Sequence, residues 1–149
     1  MAKPMVAHPS LGTLVFDEEY TWWTCRAEIR PGYSTDFCLS TRTGTAPQID
    51  TLELLERGAH YLEWVRRSEE TIRHRAAEEF TGPYNDFWSD AFGPLTMEQV
   101  KSRISLASIE LHIDGSAYWY YSDGNLFAGH LIEVRVDASH NVTELLLAG

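Results

Sequence analysis

The chain has 149 residues, and 22 acidic side chains against 12 Lys and Arg give it a formal net charge of −10 with histidine neutral. That balance excludes a general nucleic-acid binder, because the neutralisation of phosphates requires a basic surface. Hydrophobic residues make up 44% and charged residues 23% of the chain, proportions typical of a folded globular protein. The length predicts a single domain over residues 1–149, in which residues 1–10 are a loose lead-in.

Hydropathy gives no sign of a membrane segment. No apolar run approaches the roughly 18 residues that a membrane-spanning helix requires. The first residues, Met1 to Pro9, lack the apolar segment of a secretory signal peptide. We therefore expect a cytoplasmic protein that binds neither membranes nor nucleic acids.

The first third of the chain predicts three β-strands, Leu11 to Asp17, Tyr20 to Ile29 and Asp36 to Thr43. The second of these is rich in aromatic and β-branched residues and alternates as a half-buried strand does. Between the second and third strands, Pro31-Gly32 has the composition of a tight turn. The stretch from Gly44 to Gln48 then breaks the pattern.

The two cysteines, Cys25 and Cys38, flank this turn, so a disulfide between the strands has to be considered. Successive side chains of a strand point to opposite faces. Cys25 shares the apolar face of its strand with Trp23, whereas Cys38 shares the polar face of its strand with Asp36. If both apolar faces pack on one core, the two sulfurs point apart. This predicts two free thiols in a reducing compartment and no zinc site.

A long helix is predicted next. Asp50 and Glu53 have the spacing of a helix cap, and apolar residues then recur every three or four positions from Leu55 to Phe80. Gly82-Pro83 is the predicted end of this helix. Charged side chains four residues apart predict a solvated face with ion pairs, namely Glu63 with Arg67, Glu69 with Arg73, Glu70 with His74 and Arg75 with Glu79.

The rest of the chain predicts short helices and then strands. Tyr84 to Phe92 is an aromatic segment of about one helical turn, and a cap motif at Thr96 opens a short helix from Met97 to about Arg103. Asp114-Gly115 and Asp123-Gly124-Asn125 are predicted hairpin turns. They belong to an antiparallel meander of strands, which are Ile104 to Ile113, Ser116 to Ser122, His130 to Asp137 and Val142 to Ala148.

Strands followed by helices and then by strands indicate an α+β fold. We predict an antiparallel sheet of about six to seven strands, three N-terminal and four C-terminal, with one long central helix and one or two short helices packed on it. The sequence leaves open whether the helices cover one face of the sheet or both.

Several runs in the second half of the chain share a family pattern. They are Leu95 to Gln99, Leu106 to Ile109, Tyr118 to His130 and Leu147 to Gly149. These runs resemble the bacterial family catalogued as domain of unknown function 2262, and the long helix also fits the middle of that family. The resemblance implies a small bacterial cytosolic domain with no established activity. Domains of this kind often resemble the immunity partners of secreted toxins, which is an association and not a physical argument.

The turn at Asp123, with His130 close behind it, is the strongest candidate for chemistry. One interpretation is hairpin chemistry alone, with Leu126 and Phe127 packed into the core. The other is that Asp123 orients His130 as a general base or a metal ligand. Three side chains could complete such a site, namely Asp86, Glu110 and His112, and the spacing does not choose among them.

Aromatic residues fall on both faces of the predicted strands. Either one set fills the core while the other forms cross-strand pairs, or one set forms an exposed patch of the type found at protein interfaces. The sets are Tyr118 and Tyr120 against Trp119 and Tyr121 in one strand, and Trp22 against Trp23 in another.

The main prediction is a non-enzymatic interaction protein, an immunity-type inhibitor that binds a basic toxin domain, because a charge of −10 attracts a cationic partner. Two alternatives stay open, a metal-dependent hydrolase-like enzyme that uses Asp123 and His130, and a homodimer formed through the aromatic face. No metal and no cofactor is predicted, because the sequence lacks the spacing of a phosphate loop, a zinc motif or a calcium loop. The predicted partner-binding residues are Trp22, Tyr118, Tyr120, Asp123 and Asn125.

Overall fold

The computed structural model describes residues 2–41 and 50–149. Within these residues, eight strands form one sheet whose spatial order is the order of the chain. The strands are β1 (Met5–His8), β2 (Gly12–Asp17), β3 (Trp22–Arg30), β4 (Tyr33–Ser40), β5 (Ser105–Leu111), β6 (Ala117–Ser122), β7 (Leu131–Val136) and β8 (Val142–Ala148). The helices are α1 (Thr51–Pro83) and α2 (Met97–Arg103), and a π-helical turn, Tyr84–Trp88, follows α1.

The sheet is mixed. Neighbouring strands pair antiparallel except for β4 and β5, which run parallel with Phe37 opposite Ile109. The segment that contains α1 and α2 makes the crossover between them, since a parallel pair requires a long connection. The predicted α+β class is confirmed. The prediction of six to seven strands in an antiparallel sheet is wrong in two respects, since the described residues form eight strands and one pairing is parallel.

The additional strand is β1. The sequence predicted a loose lead-in over residues 1–10, but Met5–His8 pairs with β2 as an edge strand. Pro4 and Pro9 flank this strand without interrupting it, so its ladder keeps its donors. The carbonyl of Pro4 also accepts the backbone N–H of Phe16 at 2.9 Å.

The long helix begins and ends where it was predicted. A carboxylate oxygen of Asp50 accepts the N–H of Leu52 at 2.8 Å and caps the first turn. The predicted end at Gly82-Pro83 is confirmed, since α1 ends at Pro83 and the separate π-helical turn follows from Tyr84, whose N–H reaches the carbonyl of Phe80. Over the described residues, no helix has both the length and the apolar character needed to cross a bilayer.

Element boundaries differ most before α1. The third strand was predicted over Asp36 to Thr43, whereas β4 spans Tyr33–Ser40. The break predicted at Gly44 to Gln48 lies outside the described residues. In the C-terminal half each predicted element is present, and Thr96 opens α2 with the predicted capping box.

The described helices pack on one face of the sheet. The apolar faces of the strands and the buried side of α1 form one core, to which α2 contributes Val100 and the π-helical turn contributes Tyr84. At its centre, Trp119 of β6 has no exposed surface, and its indole N–H donates to the hydroxyl of Tyr61 on α1 at 2.9 Å. The core therefore joins the long helix directly to the middle of the sheet.

One carboxylate lies inside this core. Glu69 of α1 has no exposed side-chain surface and accepts bonds from Arg30 at 3.0 Å and from Arg73 at 3.2 Å. The hydroxyl of Tyr121 donates to the same carboxylate at 3.0 Å. The predicted pair of Glu69 with Arg73 is thus confirmed, but it lies in the core and not on a solvated face.

The other helix pairs differ from prediction. Glu63 bonds to Arg66 at 2.7 Å, and Glu70 bonds to Lys101 of α2 at 3.5 Å. The pairs that do not form are Glu63 with Arg67, Glu70 with His74 and Arg75 with Glu79. The two arginines among them have no carboxylate partner within the described part of the chain.

Cys25 and Cys38 are both free, as predicted. Cys25 lies opposite Phe37 on the core side, whereas Cys38 lies opposite Thr24 on the other side of the sheet. The two sulfurs are therefore separated by the sheet itself. Cys38 is nonetheless only 6% exposed.

Candidate functional site

The sheet face opposite the helices, here called the outer face, carries two rows of side chains that run across the strands. In the first row the strand pairing places Thr24, Cys38 and Glu110 side by side. Tyr118 and Arg135 continue this row onto β6 and β7. Residues from five strands therefore meet on one surface.

The second row lies next to the first. It begins with Arg26 and Asp36, whose side chains form an ion pair at 3.0 Å. Ser108, Tyr120 and Glu133 follow on the next three strands. Both rows thus place a tyrosine of β6 close to a carboxylate on an adjacent strand.

The aromatic residues divide between the two faces as the alternation predicted. Trp119 and Tyr121 are fully buried in the core. Trp22, Tyr118 and Tyr120 lie on the outer face and are each partly exposed, so that no helix or loop of the described residues seals them.

These outer rings contact polar and charged groups. The Arg135 guanidinium lies over the ring of Tyr118 at 4.8 Å, and His112 meets the same ring edge-on at 4.6 Å. The ring of Trp22 stacks on Tyr20 with centroids 4.8 Å apart and planes inclined by 20°. The three outer rings form no aromatic pair with one another among the described residues.

A shallow groove of about 430 Å³, here called the acidic groove, lies on the outer face. Cys38 and Thr24 form part of its floor, with the threonine oxygen and the sulfur 3.6 Å apart. Among the described residues no Lys or Arg lines it. Carboxylates and rings share its walls, and these are Asp17, Asp36, Glu110, Tyr20, Trp22 and Tyr120.

Three carboxylates and no described Lys or Arg line the groove, and one of these carboxylates, that of Asp36, is paired with Arg26 beside it. Burial raises the pKa of the Tyr120 hydroxyl, and the carboxylates of Glu133 and Glu110 raise it further. Burial likewise raises the pKa of the Cys38 thiol to about 11. The bond with Thr24 lowers this pKa, whereas the nearby carboxylates raise it further. A further negative charge is unfavourable here, so a positively charged group is the natural complement.

The Asp123 loop has a different task. Asp123 is 3% exposed, and its carboxylate accepts the backbone N–H groups of Asn125 at 2.9 Å, Phe127 at 2.8 Å and Gly129 at 3.0 Å. Both Gly124 and Asn125 have positive φ angles, as the turn chemistry predicted. The carboxylate therefore organises the loop from within.

His130 is not oriented by Asp123. Its Nδ1 bonds to the carbonyl of Phe127, and its ring meets Trp88 edge-on at 6.0 Å. Leu126 and Phe127 are buried, as the hairpin interpretation expected. A catalytic role for Asp123 and His130 stays a hypothesis that no contact between them supports.

The side chains considered for completing such a site lie elsewhere. Asp86 is exposed on the π-helical turn. Glu110 and His112 bond to each other at 3.1 Å on the outer face, about 17 Å along β6 from Asp123 at about 3.4 Å per residue. Within the described residues, no group of three His, Cys, Asp or Glu side chains is placed to hold a metal ion.

The sequence pointed to only part of the acidic groove. Trp22 and Tyr120 were predicted, whereas Tyr20, Asp36 and Glu110 were not assigned to the partner-binding surface. Alternation already placed Asp36 on the polar face of its strand. What could not be seen was that β5 pairs with β4 and so brings Glu110 beside Cys38.

The fold and this site define a class, the mixed α+β domains with helices on one face of a sheet and an aromatic, acidic surface on the other. The chain belongs to a family of uncharacterized proteins conserved in bacteria, domain of unknown function 2262, whose family model matches residues 8–147. The resemblance noted in the sequence is thereby confirmed. No curated protein and no solved structure is detectably similar to this chain.

Proposed function

We propose that this protein is a non-enzymatic interaction protein of the bacterial cytoplasm, and that its outer face binds a basic protein domain. The partner class we propose is a toxin domain with a cationic surface, which the protein inhibits by covering it. The observation that carries the proposal is the acidic groove, where rings and carboxylates line one surface and no described Lys or Arg does.

Charge complementarity supports a cationic partner. A Lys or Arg side chain in the groove gains charge-assisted bonds from Asp36 and Glu110, and cation–π contact with a ring such as Tyr120. The net charge of −10 also steers a basic protein towards this one and accelerates the encounter. Association should slow as salt rises, because exposed charges are screened.

The same charge disfavours the alternative of a homodimer through the outer face. In a two-fold dimer each surface patch meets its own copy. Two acidic grooves would then face each other, and like charges across an interface cost free energy. A partner of opposite charge is the better complement.

Trp22 and Tyr120 are the expected anchors, because partly exposed aromatic rings dominate the energetics of many interfaces. Tyr118 extends the same surface on the neighbouring row. Asn125 is exposed on the loop after β6 and is available to a partner. Asp123 supports that loop from within and contributes no contact surface of its own.

The test begins with the identity of the gene immediately upstream and, where that gene encodes a toxin domain, continues with a binding measurement between the two proteins. We expect the two proteins to co-elute at micromolar concentration. Tyr120→Ala and Trp22→Ala should each weaken binding by at least about tenfold, as for interface anchors. Phe87→Ala is the matched control, since Phe87 is 83% exposed on the helix side and should leave binding unchanged.

A charge series completes the test. Asp36→Asn and Glu110→Gln should lower the association rate and its dependence on salt. Glu79→Gln removes one exposed negative charge from α1 and is the control for net charge. Separate elution of the two proteins, or equal loss of binding in Phe87→Ala and Tyr120→Ala, would refute the proposal.

A further inference from the structure

A second cleft, here called the arginine cleft, lies on the helix side of the molecule between the middle of α1 and the start of β8. It has a volume of about 310 Å³. Arg67 and Arg75 line it together with the hydroxyl side chains of Ser68 and Thr71, and Asn141 lies on its β8 side. The cleft is separate from the outer face and uses none of its residues.

The arginine cleft is basic in an otherwise acidic protein. The described residues that line it include no Asp or Glu, although the chain has 22 of them. Six other described arginines form ion pairs, and Arg103 lies over the ring of Phe92. Arg67 and Arg75 alone among the described arginines have neither kind of partner.

For Arg67 the local reason is competition for a carboxylate, because Glu63 is one turn before Arg67 but bonds to Arg66. Arg75 forms no ion pair with Glu79, one turn after it, among the described residues. Both unpaired guanidinium groups are therefore available to a ligand.

Helix geometry places these groups together. Arg67, Thr71 and Arg75 follow at intervals of four residues, so their side chains share one face of α1. A guanidinium has five N–H donors in a planar fork that matches phosphate oxygens. The cleft adds two hydroxyls and an amide to these donors, and a phosphate presents three terminal oxygens to them, one more than a carboxylate does.

Part of the cleft lining is apolar. Trp64 and Ile72 line it, and the ring of Trp64 is held by His140, which stacks on it at 4.0 Å with planes inclined by 18°. His140 itself is fixed in a hairpin turn, where its N–H donates to the carbonyl of Asp137 at 3.0 Å. This wall suits a carbon skeleton attached to the anion.

We propose that the arginine cleft binds a small phosphomonoester, with the phosphate between Arg67 and Arg75 and the organic part against Trp64. The site is independent of the outer face. A basic protein and a phosphomonoester can therefore bind at the same time.

The test is calorimetric titration of the whole protein with phenyl phosphate, inorganic phosphate and benzoate at constant ionic strength. Phenyl phosphate should bind more tightly than inorganic phosphate, because its ring contacts Trp64. Benzoate should bind at least about tenfold more weakly than phenyl phosphate, since it lacks the third oxygen. Arg67→Gln and Arg75→Gln should each weaken phenyl phosphate binding by about tenfold or more.

Arg26→Gln is the matched control, because it removes the same charge from an exposed arginine of the outer face. Its affinity for phenyl phosphate should equal that of the unaltered protein. No heat of binding at millimolar phenyl phosphate, or an equal loss in Arg26→Gln, would overturn the proposal. Circular dichroism of each variant establishes that the fold is intact, which is expected because both cleft arginines are exposed.

Discussion

The hydroxyl of Tyr121, near the end of β6, donates a hydrogen bond of 3.0 Å to the buried carboxylate of Glu69 on α1. Arg30 from β3 and Arg73 from α1 bond to the same carboxylate. A single side chain thus links the long helix to both halves of the sheet. Two guanidinium groups and a hydroxyl are what allow a charge to stay in the core, because an uncompensated buried carboxylate is costly.

Removal of this carboxylate should strongly destabilise the fold. We expect Glu69→Ala to lower the free energy of unfolding by about 3–5 kcal/mol, because it leaves buried donors and cations without a partner. Tyr121→Phe removes only one bond and should cost about 1–3 kcal/mol. Urea unfolding measures both, with Glu79→Ala, on the exposed side of α1, as a control within about 0.5 kcal/mol. A Glu69→Ala variant as stable as that control would contradict the assigned role.

The protein should lose stability in alkali. Burial raises the pKa of the Tyr61 and Tyr121 hydroxyls, and the charge of Glu69 raises that of Tyr121 further. Burial also raises the pKa of the Cys25 thiol to about 11. Because the folded state holds these protons more tightly than the unfolded chain, their contribution is complete below the unfolded pKa values and is lost as pH rises through the folded ones.

Unfolded cysteine titrates near pH 8.5 and tyrosine near pH 10. If these buried groups alone titrate, the urea midpoint should be constant up to about pH 8.5. It should begin to fall above that pH and should fall more steeply above about pH 10. Tyr121→Phe should show a shallower decline above pH 10 than the unaltered protein. A midpoint that is flat from pH 8 to pH 11 would be inconsistent with these buried groups.

Two glycines of one loop should differ sharply on substitution. Gly124 and Gly129 both have positive φ angles, so alanine strains the backbone at either. Only at Gly124 would a Cβ atom also meet a backbone oxygen, that of Arg103 at 2.3 Å, while nothing lies within 4 Å of a Cβ at Gly129. Gly124→Ala should lower the free energy of unfolding by about 2 kcal/mol more than Gly129→Ala does. The thermal midpoint of the Gly124→Ala variant should be correspondingly lower. Equal losses of stability in the two variants would mean that backbone strain, and not the clash with Arg103, accounts for both.

Asp123 should matter for stability. Asp123→Ala leaves three backbone N–H groups without their acceptor, which we expect to cost about 2–4 kcal/mol in urea unfolding. Asp90→Ala, at an exposed position, is the control. If Asp123→Ala and Asp90→Ala unfold at the same urea concentration, the Asp123 carboxylate does not stabilise the loop. That result would favour the alternative hypothesis, a catalytic role for Asp123.

Local pattern was enough to predict most elements and the division of the aromatic rings. Alternation separates Trp119 from Tyr120 and Trp22 from Trp23, because a strand imposes that period wherever it lies in the sheet. Turn composition likewise identified the Asp123 loop. These features depend on neighbours in the chain.

Contacts between distant segments could not be predicted in the same way. Glu69 has the spacing of a surface ion pair with Arg73, and only the placement of β3 and β6 under α1 buries it. The acidic groove depends on the parallel meeting of β4 and β5, which no local pattern encodes. The edge strand β1 lacks a long apolar run because only alternate side chains are partly covered.

The parallel seam between β4 and β5 has a consequence for folding kinetics. In the described sheet, strands β1 to β4 and strands β5 to β8 each pair with chain neighbours, and the seam alone joins partners far apart in the chain. Closing a long loop is entropically costly and slows the step that requires it. Strands β1 to β4 can thus assemble before the ribosome has synthesised α1 and strands β5 to β8. Docking of the two four-strand units across the seam is the expected slow step.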